Sequence, residues 1–240
     1  MQFIFHGEIV DYEYFKKNNS ENVIFLHGWG GNKFSFLTTI NLLKNNYSVL
    51  TITIPTIANT NLVWDMFSYT KLVETICNLH NIKSACIVCH SFGFRIATLL
   101  KDKIKIKKIV VTGGAGMKKN NIFTKTTKNN NKILIKSEKF KYLYKKIASS
   151  DYQNLSNTNK QTFKNIVNYI SNSLINFSCP LLLFWGKFDK ETPLWIAKKL
   201  AKQNDANLIN TTGSHFAYLD FNSKFNYEVL KFLKWKYFFL

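Results

Sequence analysis

Ser84-Ala85-Cys86-Ile87-Val88-Cys89-His90-Ser91-Phe92-Gly93-Phe94-Arg95-Ile96-Ala97 is an apolar run that halts at a serine and restarts with helical periodicity. Its first half reads as a buried strand, Ala85 to Cys89, and its second as a helix, Phe92 to Leu100. The junction has the form of a nucleophile elbow, G-x-S-x-G, in which small residues flank the serine where strand and helix backbones crowd together. Cys89 and Gly93 hold those two places. Such a turn lifts the Ser91 hydroxyl off the sheet edge and aims the first amides of the helix at an oxyanion forming on a bound carbonyl. A serine before a helix also serves as an N-cap, so the remaining chain must decide between the two.

Upstream, two short strands are predicted at Gln2 to Val10 and Tyr12 to Phe15, then a buried strand at Asn22 to Leu26 that runs into His27-Gly28-Trp29-Gly30-Gly31. A helix follows over Asn32 to Leu43, a strand over Tyr47 to Ile54, and an amphipathic helix to Leu79 with Asp65 as its N-cap. Downstream come a strand at Lys107 to Thr112, a strand at Pro180 to Trp185, a helix from Pro193 to Lys202, a strand at Ala206 to Asn210 and a closing helix from Ser223 to Trp235. This alternation predicts an α/β fold, a mostly parallel central sheet flanked by helices on both faces.

The alternation breaks between Ala115 and Phe177. Twelve lysines stand there against Glu138 and Asp151. Helical spacing recurs at Lys132 to Ile147 and Thr162 to Ile175, and Lys118 to Asn131 reads as a polar loop. We expect a small basic helical cap, residues 114–178, inserted after the sixth strand, with 1–113 and 179–240 forming the core.

The 240 residues carry 33 Lys and Arg against 14 Asp and Glu, a formal charge of +19. All but one of the basic residues are Lys, Arg95 being the exception. Sequence-reading of nucleic acid leans on the bidentate Arg fork, so a Lys surface points away from it, and no nucleic-acid partner is expected. No stretch shows a signal peptide or the roughly 20 apolar residues of a membrane span, and a cytoplasmic location is expected. Cys77, Cys86, Cys89 and Cys179 lie in apolar segments without disulfide-framework spacing. Cys86-Ile87-Val88-Cys89-His90 matches the haem-attachment string C-x-x-C-H, but it lies in a buried strand. A zinc site lacks a second ligand pair, so neither metal nor cofactor is expected.

Four motifs now stand in one order: His27-Gly28-Trp29-Gly30, Cys89-His90-Ser91-Phe92-Gly93, Gly186-x-x-Asp189-x-x-x-Pro193 and Gly213-Ser214-His215. Each closes a predicted strand, and together they make the chain resemble the α/β-hydrolase family over essentially its whole length. The resemblance implies a catalytic triad of Ser91, His215 and Asp189: nucleophile, base and the carboxylate that holds the imidazole. It implies an oxyanion hole from the backbone N–H groups of Trp29 and Phe92. Trp29, His90 and Phe92 would line the substrate pocket, and His27 would brace its loop. Cys89 departs from the usual elbow glycine; it leaves less room there, and as a second nucleophile it faces the core. An Asp nucleophile, as haloalkane dehalogenases of this fold use, is absent where Ser91 stands.

Within the family, His-Gly-Trp-Gly followed by a single small cap resembles the pimeloyl-[acyl-carrier protein] methyl ester esterases of biotin synthesis. That resemblance implies an acidic acyl carrier protein as partner, which a basic cap would attract. A carboxylesterase for small free esters is the alternative, and a non-catalytic ligand- or partner-binding relative is an alternative of another class.

Overall fold

The computed structural model describes residues 1–56, 62–117, 156–169 and 175–234. Within these, eight strands form one sheet in the order β1-β2-β4-β3-β5-β6-β7-β8. β1 (Gln2–Phe5) and β2 (Glu8–Phe15) form a hairpin, and β2 lies antiparallel to β4 (Ser48–Ile52). β3 (Asn22–Leu26), β5 (Ser84–His90), β6 (Lys105–Thr112), β7 (Leu181–Gly186) and β8 (Asn207–Thr211) continue parallel to β4. The expected α/β class and mostly parallel sheet are what the chain adopts.

The five buried residues Ala85 to Cys89 show why strand and sheet agree. Cys86 and Val88 pack on one face with Val23 and Phe25 of β3. Ala85, Ile87 and Cys89 pack on the other with Ile24 and Leu26. A strand buried on both sides reads as an unbroken apolar run, which is how these segments look in the sequence. The helices α2 (Met66–Leu79), α3 (Phe92–Leu100) and α5 (Leu194–Asn204) cover the face that carries Ile24 and Leu26. Phe36, α1 (Leu37–Leu43), the short α6 (Ala217–Asp220) and α7 (Asn222–Lys234) cover the opposite face.

Three boundaries differ from the sequence reading for local reasons. The first strand break falls at His6-Gly7, whose φ angles of 50° and 83° make a two-residue hairpin turn, and not at Asp11. Asn32 caps its own turn, its side chain accepting from Phe34 N–H at 2.8 Å, so α1 begins only at Leu37. The closing helix, α7, begins one residue earlier than expected and is preceded by the short α6, which the spacing did not predict. Asp65 does cap α2, accepting from Ser68 N–H at 2.7 Å.

Between β6 and β7, the expected loop at 118–131 and helix at 132–147 lie outside the described residues. The second expected helix of the insertion is α4 (Asn157–Asn168), which starts five residues earlier than its apolar spacing predicts, with Ser156 accepting from Asn159 N–H. α4 packs on the core beside the carboxyl ends of the strands. Trp64 N–H donates to Thr162 Oγ1 at 2.9 Å, and the Phe163 ring lies 5.2 Å from that of Trp29. Among the described residues, no helix is long and apolar enough to cross a membrane.

Candidate functional site

β3 has β4 on one side and β5 on the other, so successive crossovers leave in opposite directions there and open a crevice at the carboxyl edge. Trp29 follows β3 and Ser91 follows β5 at this crevice. A cavity of about 540 Å3 lies over it, lined by Trp29, Ser91, Phe92 and His215 together with α4 residues Phe163 and Ile166. That size is ordinary for a small-molecule site, which typically spans about 300–1,000 Å3.

Ser91 takes φ 47° and ψ −110°, a conformation that costs a non-glycine residue about 1–3 kcal/mol. Packing holds it there. Ser91 N–H donates to Thr112 O at the end of β6, and Ser91 O accepts from Phe94 and Ala115 N–H, each at 3.1 Å. The close approach falls on Gly93: a Cβ at that position would lie 2.2 Å from Leu26 O. Position 89 has no comparable conflict. The Cys89 side chain is buried in the core and its thiol donates to Val110 O at 3.5 Å, so a cysteine fits where elbows usually have glycine. Burial raises its pKa well above the ordinary thiol range, leaving it without thiolate character.

Asp189 and His215 arrive on two loops laced together. Lys187 N–H donates to Thr211 O at 2.7 Å and Phe188 N–H to Gly213 O at 3.0 Å. Only glycine fits at 186, where a Cβ would stand 2.1 Å from Ser214 O. Asp220 holds the far side, accepting from both N–H and Oγ–H of Ser214 at 2.7 Å. The result is a hydrogen bond of 2.9 Å between His215 Nδ1 and Asp189 Oδ2. The same oxygen accepts from Thr192 Oγ1 at 2.7 Å, and Oδ1 accepts from the N–H groups of Glu191 and Thr192. Burial alone would push this carboxyl up; the bonds from His215 and Thr192 outweigh it and hold the pKa below the usual value. Asp189 is therefore a turn cap and a histidine partner at once.

Ser91 and His215 face the same cavity, but no hydrogen bond joins Ser91 Oγ to the imidazole among the described residues. His215 Nε2 instead lies 4.0 Å from Glu191 Oε2. Catalytic hydrogen bonds are often long in unliganded sites and tighten around substrate. The backbone N–H groups of Trp29 and Phe92 donate to no protein acceptor among the described residues.

The other sequence-named residues divide by role. His27 braces the first loop, Nδ1 donating to Gly28 O at 2.6 Å and Nε2 accepting from Ile54 N–H at 2.8 Å; burial lowers its pKa to about 4. His90 lines the cavity, yet its Nε2 bonds His215 O at 3.1 Å, and burial lowers its pKa to about 3. It carries the backbone of residue 215 more than it offers a nitrogen to a ligand. Trp29 lines the cavity and also packs edge-on to Phe92 and Phe163. The sequence reading did not single out Thr192 Oγ1 or Arg95 as site residues, although Arg95 lines the same cavity. Arg95 could have been found as the lone arginine, four residues after Ser91. Among the described residues no group of three His, Cys, Asp or Glu side chains is arranged to hold a metal.

No family model matches the chain. The pimeloyl-[acyl-carrier protein] methyl ester esterase of Wigglesworthia glossinidia brevipalpis is 27% identical over a 240-residue alignment covering 84% of this chain and 89% of that protein. Among solved structures, an α/β-hydrolase enzyme from a Medee basin deep-sea metagenome library matches with a TM-score of 0.74 at 16% identity, over 100% of this chain and 99% of that one. A thermophilic esterase from Thermogutta terrifontis matches with a TM-score of 0.71 at 12% identity, over 94% and 93%.

Proposed function

We propose, starting from a chain that has the α/β-hydrolase fold, that this protein is a serine esterase which cleaves a carboxylic ester through an acyl-enzyme intermediate on Ser91. The observation that carries the reading is the 2.9 Å bond from His215 to Asp189 at the rim of a cavity that a strained Ser91 also faces. A hydroxyl is a weak nucleophile near neutral pH and needs an adjacent base. With Nδ1–H donated to Asp189, the neutral imidazole carries its lone pair on Nε2. That nitrogen takes the Ser91 proton as Oγ attacks the ester carbonyl, and Asp189 stabilises the imidazolium formed. The carbonyl oxygen becomes an oxyanion, met by the Trp29 and Phe92 N–H groups; one such donor contributes about 3–4 kcal/mol to the barrier. Collapse expels the alcohol, which leaves with the proton from Nε2. Water activated by the same nitrogen then releases the acid and restores Ser91.

The finer reading is a pimeloyl-[acyl-carrier protein] methyl ester esterase. The likeness to the Wigglesworthia protein supports it, as does the lysine-rich sequence from 118 to 164, whose charge suits an acidic carrier protein. In this reading residues 114–178 form the cap of the site and the enzyme is cytoplasmic. The likeness to the Thermogutta esterase and the ordinary cavity size support the alternative, a carboxylesterase for small free esters.

Covalent labelling by a fluorophosphonate tests the chemistry. Labelling of the wild type that is lost in Ser91→Ala is expected; absence of labelling in both would instead make the chain a binding protein on this fold. Turnover of carrier-linked and free methyl esters at rising salt separates the two esterase readings. A steep fall confined to the carrier-linked substrate favours the first.

A further inference from the structure

The chain's only arginine is placed where a surface cation would not be. Arg95 is four residues beyond Ser91 on α3, and side chains of a helix lean toward its N-terminus, here toward the elbow. It lines the same cavity as Ser91, beside Met117, Ile166 and Val167. Its stem runs along Gly116, where a Cβ would lie 3.4 Å from Cγ and 3.9 Å from Nη1. Ala115, next in the chain, donates its N–H to Ser91 O. Among the described residues the guanidinium makes one hydrogen bond, from Nη1 to Tyr169 O, and pairs with no carboxylate. Burial lowers its pKa to about 10, so it stays charged at neutral pH. A guanidinium offers five N–H donors in a planar fork suited to carboxylate and phosphate, and among the described residues Tyr169 O takes one of them.

Building on the esterase reading, we propose that Arg95 anchors an oxyanion carried by the substrate, making this a site for esters with a carboxylate or phosphate a few bonds from the scissile carbonyl. Four helical residues span about 6 Å along the axis, so an anion seated on the fork lies on the order of 6 Å from a carbonyl over Ser91. A half-ester of a short dicarboxylic acid has that length. A phosphate on the arm of a carrier offers the same chemistry from the alcohol or acyl side.

The competing role for Arg95 is structural: it ties the C-terminal end of α4 to α3 through Tyr169 O. Specificity separates the two. Wild type, Arg95→Gln and Arg95→Lys are compared on monomethyl glutarate, on methyl pentanoate as its neutral counterpart, and on a methyl ester ending in a phosphate monoester, with kcat and KM determined for each. The wild type should prefer an anionic ester, and Arg95→Gln should lower the anionic-to-neutral ratio of kcat/KM by about 10- to 100-fold, mostly through KM, as expected for a charge-assisted bond. Arg95→Lys should restore part of that ratio. Whichever anionic ester shows the larger ratio identifies the source of the anion. A proportional loss on all three esters, or an unchanged ratio, overturns the proposal in favour of the structural tie. Calorimetric binding of monomethyl glutarate to Ser91→Ala, with and without Arg95→Gln, reads the anchor without turnover. The esterase reading fails on absent labelling and the anchor fails on unchanged affinity, so the two failures are distinguishable.

Discussion

Replacing Asp189 by Asn and by Ala separates the two jobs this carboxylate does. Oδ1 accepts the Glu191 and Thr192 amides; Oδ2 accepts Thr192 Oγ1–H and His215 Nδ1–H. An asparagine keeps both amide bonds only if its oxygen sits at the Oδ1 place, which turns its NH2 toward His215. Nδ1 must then accept, the proton moves to Nε2, and the nitrogen facing Ser91 can no longer act as a base. Loss of the carboxylate from such a triad by a wrong tautomer lowers kcat by about 10^4, equivalent to roughly 5 kcal/mol of barrier. The turn survives, so thermal stability should change little. Alanine gives the opposite balance: it leaves two backbone N–H groups and the Thr192 hydroxyl without their acceptor, each costing about 1–3 kcal/mol if it stays buried. We expect Asp189→Asn to hydrolyse p-nitrophenyl acetate at least 10^3-fold more slowly with a urea midpoint near that of the wild type, and Asp189→Ala to be both slow and markedly less stable. Asp189→Asn retaining more than a tenth of wild-type kcat would refute the assignment of Asp189 to His215.

Gly93→Ala puts a methyl 2.2 Å from Leu26 O, a clash with backbone that no rotamer relieves, so a loss of more than about 3 kcal/mol in urea unfolding, or insoluble protein, is expected. Cys89→Gly, by contrast, removes a buried side chain without strain and should cost about 1–2 kcal/mol while fluorophosphonate labelling of Ser91 persists. His27 and His90 have pKa values lowered by burial to about 4 and about 3, so between pH 6.5 and 4 the unfolded chain binds protons that the folded one does not. Stability should therefore fall with falling pH, by about 2 kcal/mol for each histidine between pH 7.5 and 5, and His27→Gln should remove its share of that slope. Thr192→Val deletes one of the two side-chain donors to Asp189 Oδ2 and should lower kcat several-fold with KM little changed, read on the same p-nitrophenyl ester.

How much of this was legible in the sequence follows from the range of the forces involved. Buried parallel strands such as Val23 to Leu26 and Leu181 to Trp185 announce themselves as apolar runs because neither face can be polar, and α3 begins and ends as its spacing predicts. α4 was misplaced because its first turn, Asn157-Thr158-Asn159-Lys160, has no apolar residue to mark it; Ser156 was the available signal. Asp189 and His215 could be named from motif order, but their joining depends on Gly186 and on Asp220, whose close contacts exist only in three dimensions. The cysteine at 89 looked like a strain on the elbow. Its side chain in fact enters the core with Ile87, and the crowding falls wholly on Gly93. Arg95 was read as composition, although its position one helical turn from Ser91 was visible throughout.

The unformed link between Ser91 and His215 is consistent with a resting site rather than a broken one, because the ring is already fixed by everything else it touches. Nδ1 is committed to Asp189, the backbone carbonyl is held by His90, and Ser214 is tied to Asp220, so the imidazole has little freedom except to wait. A neutral Nε2 is an acceptor and gains no hydrogen bond from the Glu191 carboxylate 4.0 Å away; an imidazolium there would be attracted to it. In the proposed reaction the imidazolium formed by taking the serine proton would have both carboxylates beside it. Glu191 is half exposed and its share is correspondingly screened, leaving Asp189 as the dominant partner. In the proposed reaction the substrate supplies the oxyanion in front of the Trp29 and Phe92 amides, and the Ser91 Oγ to Nε2 hydrogen bond would form as its carbonyl binds.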